Sequence, residues 1–166
     1  MEDAFLVTER LYLRPHRPDD VPFMMRLNAD PEVIRYTGEG ALESTEQAEA
    51  IIEALQKQFQ SRQLGRLVVC ERQTGEPLGW CGLKWYEEEG GVDLGYRFLR
   101  SAWGKGYATE ASKACLRWAA TQKGLDYIFA HAFEANIASC RVLEKVGFQR
   151  SGKADEQGIL RFEQIK

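Results

Sequence analysis

Gly104 and Gly106, with one residue between them, sit where a strand hands over to a helix. The run from Gly91 to Ala111 reads as a strand to about Leu99, a turn at Ser101–Lys105, and a helix start at Gly106. The first turn of a helix leaves its N–H groups without internal partners. Those donors and the positive end of the helix dipole form an anion site. Glycines keep side chains away, so a phosphate can approach the backbone. By themselves two such glycines are also ordinary turn residues; their place between strand and helix is what suggests a phosphate-bearing ligand. A dinucleotide fingerprint would need a third glycine at Thr109 and a parallel strand–helix–strand unit near the chain start. A P-loop would need Gly-Lys-Ser/Thr after its spacer, and none follows.

A second segment, residues 136–148, runs from Asn136 through Ser139 and Leu143-Glu144-Lys145 to Gly147-Phe148. Asn136 is a good helix N-cap. Ser139 lies one turn further on, so the two share a helix face. Cys140 has no histidine nearby in sequence and reads as a buried, inert thiol.

The elements that must carry these residues follow from periodicity. Leu6 to Arg14 alternates, with Leu11 and Leu13 on one face and Arg10, Tyr12 and Arg14 on the other: a half-buried first strand. Asp19-Asp20 opens a short helix with Val21, Phe23, Met24 and Leu27, closed before Pro31. Ser44 and Gln47 form a capping-box pair ahead of Ala48, Ile51, Ile52, Leu55 and Phe59, a helix ending near Gly65. Strands at Arg66–Arg72, Leu78–Tyr86 and Val92–Leu99 form an antiparallel meander. A helix from Gly106 to Lys123 turns Ala108, Ala111, Cys115, Trp118 and Ala119 inward. A strand at Asp126–Phe133, a helix at Ile137–Val146 capped by Gly147, and strands from Phe148 and over Ile159–Ile165 complete the chain. The class is α/β, of mixed α+β type with one sheet.

The 166 residues make one domain, 1–166, with a sizeable core. With 44% hydrophobic and 28% charged residues the composition is globular. No apolar run is long enough to span a bilayer, and no signal segment opens the chain. A net charge of −3 argues against a basic nucleic-acid surface. No Cys-x-x-Cys pair occurs among Cys70, Cys81, Cys115 and Cys140, and His16 and His131 are isolated, so no metal site is expected. Four reduced thiols suit a cytoplasmic protein. Glu87-Glu88-Glu89 reads as a solvated turn that could also attract a cationic substrate.

Together the two segments resemble the GNAT superfamily of acetyl-CoA-dependent N-acetyltransferases. The first resembles the family's Gln/Arg-x-x-Gly-x-Gly/Ala motif, carried by Trp103, Gly106 and Ala108. The second resembles its Asn-x-x-Ser…Leu-Glu-Lys-x-Gly-Phe motif. Thr8 to Pro15, followed by Asp19-Asp20 and Asp30-Pro31-Glu32-Val33, is similar to the branch that acetylates N-termini of ribosomal proteins, such as the ribosomal-protein-alanine N-acetyltransferases. The resemblance covers nearly the whole chain. It implies a single mixed, mostly antiparallel sheet of about seven strands flanked by about four helices. Trp103 departs from the family's Gln or Arg; Lys105 is a point charge that could compensate.

The resemblance also implies roles. Main-chain N–H groups from Gly104 through Lys105, Gly106 and Tyr107 to Ala108, beside Trp103, would hold the pyrophosphate of CoA. The strand edge at Phe98 and Leu99 would pair with the pantetheine arm. Asn136 would bond the pantetheine or acetyl end, and the Ser139 hydroxyl would sit near the thioester sulfur. Asp93 is the candidate base, or a polar strand-end residue. Tyr96 is an acid-side residue, or a wall of the acetyl pocket. An N–H near Phe98 would stabilise the oxyanion if the strand bulges, which Gly95 permits.

The implied reaction is direct attack of a primary amine on the acetyl thioester, an enzyme activity using acetyl-CoA and no metal. A protein N-terminal α-amine, with a pKa of about 8, is more often neutral than a lysine-like amine at about 10.4. Polyamine, amino acid and aminoglycoside acceptors stay open. So does a CoA-binding sensor without turnover, which could dispense with Ser139, Asp93 and Tyr96, and a simple nucleotide-phosphate binder. Neither nucleic acid nor membrane is expected as a partner, and the chain suits a monomer or a homodimer.

Overall fold

Thr8 turns the chain back on itself. Its N–H donates to the Leu11 carbonyl at 2.8 Å and its hydroxyl accepts from the Leu11 N–H at 3.1 Å. The expected first strand is therefore a hairpin of β1 (Leu6–Val7) and β2 (Leu11–Arg14), with Leu6 opposite Leu13 and Val7 opposite Tyr12. Nor is β2 half-buried: all four of its residues are inside. Arg14 tolerates this because Asp20 takes its guanidinium through two bonds of 2.8 and 2.7 Å. The computed structural model describes Met1 and residues 3–164, so the expected end of the last strand at Ile165 lies outside the described residues.

A 3₁₀ turn at Pro18–Asp20 leads into α1 (Val21–Leu27). Next comes α2 (Pro31–Ile34), not expected from the sequence, a single turn capped by Asp30, whose side chain accepts from the Glu32 N–H. In α3 (Thr45–Arg62) the Ser44 hydroxyl caps Gln47 as expected, but the Gln47 side chain accepts from the N–H of Glu43, not of Ser44. Gln63, at φ 53°, forms the left-handed end of α3; Gly65 already belongs to the next strand. Ile51 points outward, and Ala48 and Ile52 form the buried face with Met24.

The meander is β3 (Gly65–Glu71), β4 (Pro77–Tyr86) and β5 (Gly91–Phe98). A second 3₁₀ turn, Arg100–Ala102, precedes α4 (Tyr107–Ala120), then β6 (Ile128–Phe133), α5 (Ile137–Lys145), β7 (Phe148–Arg150) and β8 (Ile159–Gln164). One eight-stranded sheet runs β1-β2-β3-β4-β5-β6-β8-β7. Among the described residues there are thus eight strands and five α-helices, where about seven and four were expected. The additions are β1 and α2, each too short to show a period.

Ala111, Cys115 and Ala119 of α4 lie on one face of the sheet against Leu11, Leu67, Leu83 and Leu94. Tyr12, Val68 and Cys70 on the other face meet Phe23 and Leu27 of α1. All four cysteines are free and buried.

Every strand pair is antiparallel except β5–β6. That parallel pair has two register positions, Val92 with Ile128 and Asp93 with Phe129. Beyond them the strands part. Against β4, in contrast, β5 keeps an unbroken register from Gly91 to Phe98, so the bulge that Gly95 permits is not present there. Gly95 serves another need: a Cβ on it would lie 2.9 Å from the Arg66 Cζ.

Candidate active site

The Val92 N–H donates to the Tyr127 carbonyl on the β6 side, and the Leu99 N–H donates to Leu78 on the β4 side. Main-chain groups alternate along a strand. Those of Tyr96 and Phe98 therefore face the opening between β5 and β6, where no ladder continues. Of the two residues expected to pair with an arm lying there, Phe98 has its N–H in place and Leu99 is committed to β4. The indole N–H of Trp103 donates to the Phe98 carbonyl at 2.9 Å and finishes the strand edge.

Side chains alternate as well, so the opening has two chemically different faces. On the α4–α5 side the Tyr96 hydroxyl lies 2.8 Å from Ser139 Oγ and donates to the Ser139 carbonyl at 3.2 Å. Burial pushes the Tyr96 phenol well above its ordinary value of 10.0, against a smaller opposing effect of Ser139. It stays protonated across the neutral range and is a proton donor. Asn136 caps α5, its Oδ1 accepting from the Ser139 N–H at 3.3 Å. Its amide Nδ2 makes no hydrogen bond among the described residues, so the cap leaves a donor available.

On the opposite face Arg66 donates from Nη2 to Asp93 Oδ2 at 2.7 Å and from Nη1 to the Asp93 and Gly82 carbonyls at 2.9 and 2.7 Å. Asp93 Oδ1 faces His131 Nδ1 at 3.9 Å. Arg161 approaches His131 Nε2 at 3.5 Å and is itself held by Glu89 at 2.9 Å. Arg97 bonds Asn28 and, at 3.2 Å, Glu39. Arg66 and Arg97 both lie over the Trp80 ring, at 5.3 Å each. Asp93, Glu39 and Glu89 are thus each paired with an arginine.

At the end of β5 the chain enters the glycine turn. Gly104 and Gly106 have φ of 73° and 81°, in the left-handed region. Gly106 is the N-cap of α4 and supplies no side-chain cap, so the first N–H groups of the helix have no capping partner. A Cβ on Gly104 would meet nothing within 4 Å. Lys105 is exposed, Tyr107 and Ala108 half-buried. The Arg10 guanidinium lies over the Tyr107 ring at 4.6 Å.

Residues 10–149 match the acetyltransferase (GNAT) domain family. The chain belongs to the GNAT acetyltransferases. An uncharacterised N-acetyltransferase, p20 of Bacillus licheniformis, is 30% identical over 148 residues, covering 89% of this chain and 83% of that one. Two solved structures share the fold. RimL, a ribosomal L7/L12 α-N-protein acetyltransferase in its apo form, has a TM-score of 0.83 at 16% identity, covering 98% of this chain and 94% of its own. The spermidine N-acetyltransferase of Vibrio cholerae, in complex with CoA and spermine, has a TM-score of 0.80 at 21% identity, covering 94% and 95%.

GNAT enzymes use acetyl-CoA. The residues present fit it: an uncapped helix N-terminus with an open Gly104 for the phosphates, and an unpaired edge of β5 for an extended arm. Among the described residues no group of three or more His, Cys, Asp or Glu is placed to hold a metal, and no helix is long and apolar enough to cross a membrane. The structure brings Tyr96, Asn136 and Ser139 together. Arg66, Arg97, His131 and Arg161, none of them among the residues expected from sequence, are placed on one face by strand register alone. Alternation along each strand was visible, but the pairing that aligns Arg66 with Gly82 and Gly82 with Gly95 was not.

Proposed function

We propose that this GNAT enzyme acetylates the α-amine at the N-terminus of a peptide or protein. Acetyl-CoA supplies an activated acyl group, with a C–N bond forming as the C–S bond breaks. The amine enters on the Asp93 face of the opening, and the thiol departs on the Tyr96 face. Asp93 Oδ1, which makes no hydrogen bond among the described residues, is the oxygen placed to take the amine's proton, directly or through water. The Tyr96 hydroxyl donates a proton to the departing sulfur, with the Ser139 hydroxyl orienting it. The Tyr96 N–H is the donor available to the carbonyl oxygen, and the Phe98 N–H is left to the arm. CoA lies with its phosphates at Gly104–Ala108 and its arm beside Phe98, with Asn136 Nδ2 available to it.

The observation that carries the choice of acceptor is the pairing of carboxylates. A polyamine needs unpaired negative charge along its length. Here Asp93, Glu39 and Glu89 are each already matched by Arg66, Arg97 and Arg161. Arg97, whose side chain is 13% exposed, gives its two Nη atoms to Asn28 and Glu39 and has its Nε–H left for a carbonyl beside the amine. Of the acceptors of the two structural neighbours, a protein α-amine and a polyamine, the first suits this surface.

The test is thiol release from acetyl-CoA with a panel of N-terminal peptides, amino acids, aminoglycosides and polyamines, with products located by mass spectrometry. Peptide α-acetylation at the highest kcat/KM supports the reading. Turnover of spermidine with none of peptides overturns it, and CoA binding with no turnover of any amine points to a sensor.

A further inference from the structure

We propose that Arg10 is a positioning residue for the coenzyme's phosphates: it holds the Lys105 carbonyl back, and so turns the Gly106 N–H toward them. Arg10 Nη1 donates to the Lys105 carbonyl at 2.8 Å. In a trans peptide the carbonyl of one residue and the N–H of the next point in opposite directions. With the Lys105 carbonyl fixed on the hairpin side, the Gly106 N–H is directed away from Arg10. That N–H has no acceptor among the described residues.

Arg10 is itself held. Its Nε donates to Glu110 Oε1 at 2.8 Å and its main-chain N–H to Glu110 Oε2 at 3.0 Å. The Thr8 hydroxyl donates to the same Oε2 at 2.5 Å. Glu110 lies in the first turn of α4, so the β1–β2 turn, the helix and the glycine loop are tied at one point. Gly106 fits this arrangement twice over. Its φ of 81° disfavours a side chain, and a Cβ there would stand 3.4 Å from Arg10 Nη2. Trp103, exposed and bonded to Phe98, contributes no cation to the loop, whereas Arg10 and Lys105 both stand at its edge.

The inference rests on the phosphates of acetyl-CoA being bound at this loop, and the experiment separates the two. CoA affinity is measured by calorimetry, and KM and kcat with acetyl-CoA and with S-acetylpantetheine, which lacks the pyrophosphate. For Arg10→Met we expect CoA affinity to fall and the acetyl-CoA KM to rise by about tenfold to a hundredfold, as for loss of one charge-assisted hydrogen bond. The loss in kcat/KM is expected to be several-fold smaller with S-acetylpantetheine, and Arg10→Lys to recover part of the CoA affinity. Unchanged CoA affinity, or equal losses with both thioesters, would show Arg10 to be only a strut between hairpin and helix. Should Arg10→Met fail to fold, Glu110→Gln, which loosens the same guanidinium, must show the same preference against CoA. Wild-type protein that binds CoA but acetylates no amine refutes the proposed activity and leaves the calorimetric test of Arg10 intact.

Discussion

The phenolic oxygen of Tyr96 and the hydroxyl of Ser139 lie 2.8 Å apart, joining β5 to α5 across the opening where β5 and β6 have ceased to pair. A half-buried phenol held in its protonated form, with its ring packed at the core's edge, is well placed to supply a proton to a leaving group.

Tyr96→Phe keeps that ring and removes the donor. We expect kcat to fall by about 10² to 10³ while the acetyl-CoA KM changes less than threefold, roughly the range for loss of a general acid. Ser139→Ala is expected to fall less, and the double variant to be no worse than Tyr96→Phe by more than about threefold, since the two act as one unit. Steady-state kinetics on the three variants checks this.

At the phosphate loop Gly104→Asp is the informative change. Its Cβ would enter open space, so the carboxylate lands among the N–H donors without a clash. Aspartate at Gly106 would instead lie next to Arg10 and gain an ion-pair partner. We expect Gly104→Asp to raise the acetyl-CoA KM at least about tenfold, at a cost in fold stability of about 1 to 3 kcal/mol for the left-handed backbone. Kinetics and thermal melts together check the split.

Two glycines on the acceptor face should respond oppositely to alanine. At Gly95 the added methyl meets the end of the Arg66 side chain at 2.9 Å, and that end can move. The fold should survive while the Arg66–Asp93 pair is displaced, lowering kcat by about tenfold or more. At Gly82 the methyl would stand 1.9 Å from the Gly65 carbonyl oxygen, part of β3 itself. We expect Gly82→Ala to destabilise the fold by more than about 3 kcal/mol. Denaturant melts and turnover of the two variants give the comparison.

Acid stability should be governed first by His16. It is buried beside Arg14 and Asp20 with neither ring nitrogen in a hydrogen bond. Burial, opposed by Asp20 and by the nearby Arg66 main chain and aided by Arg14, lowers its pKa from 6.5 to about 4. The unfolded chain therefore takes up a proton before the folded one. The His16 contribution is constant above pH about 6.5, falls as the pH drops toward about 4, and by then has cost roughly 3 kcal/mol. Asp20, held below its ordinary value despite burial because Arg14 and the Arg17 N–H bond it, adds its own loss only at still lower pH. Urea melts at pH 7 and pH 5 should show the fall in the wild type and a flattened one in His16→Phe.

What the sequence disclosed divides by range. The glycine turn, the Asn136 cap and the Ser139 face are local patterns, fixed by residues within one or two helical turns, and the structure places them as read. The long helices and the meander were legible for the same reason. The β1–β2 turn was not, because Thr8 closes it with its own hydroxyl, without a glycine or proline to mark it. Gln63 hides the end of α3 similarly, adopting the left-handed conformation usually left to glycine or asparagine. Asp93 could be singled out, but its partner Arg66 is 27 residues away on a strand two positions over in the sheet. Only strand register brings such pairs together, and register depends on the whole sheet.

The central claim is that one opening in the sheet holds the coenzyme, phosphates on the α4 N-terminus and arm along β5. A crystal structure with CoA and an N-terminal peptide tests it most directly. We predict the pyrophosphate within hydrogen-bond distance of the N–H groups from Gly104 to Ala108, and the sulfur between Tyr96 and the Asp93 face. CoA bound at any other surface, or its sulfur remote from both Tyr96 and Asp93, would contradict the account.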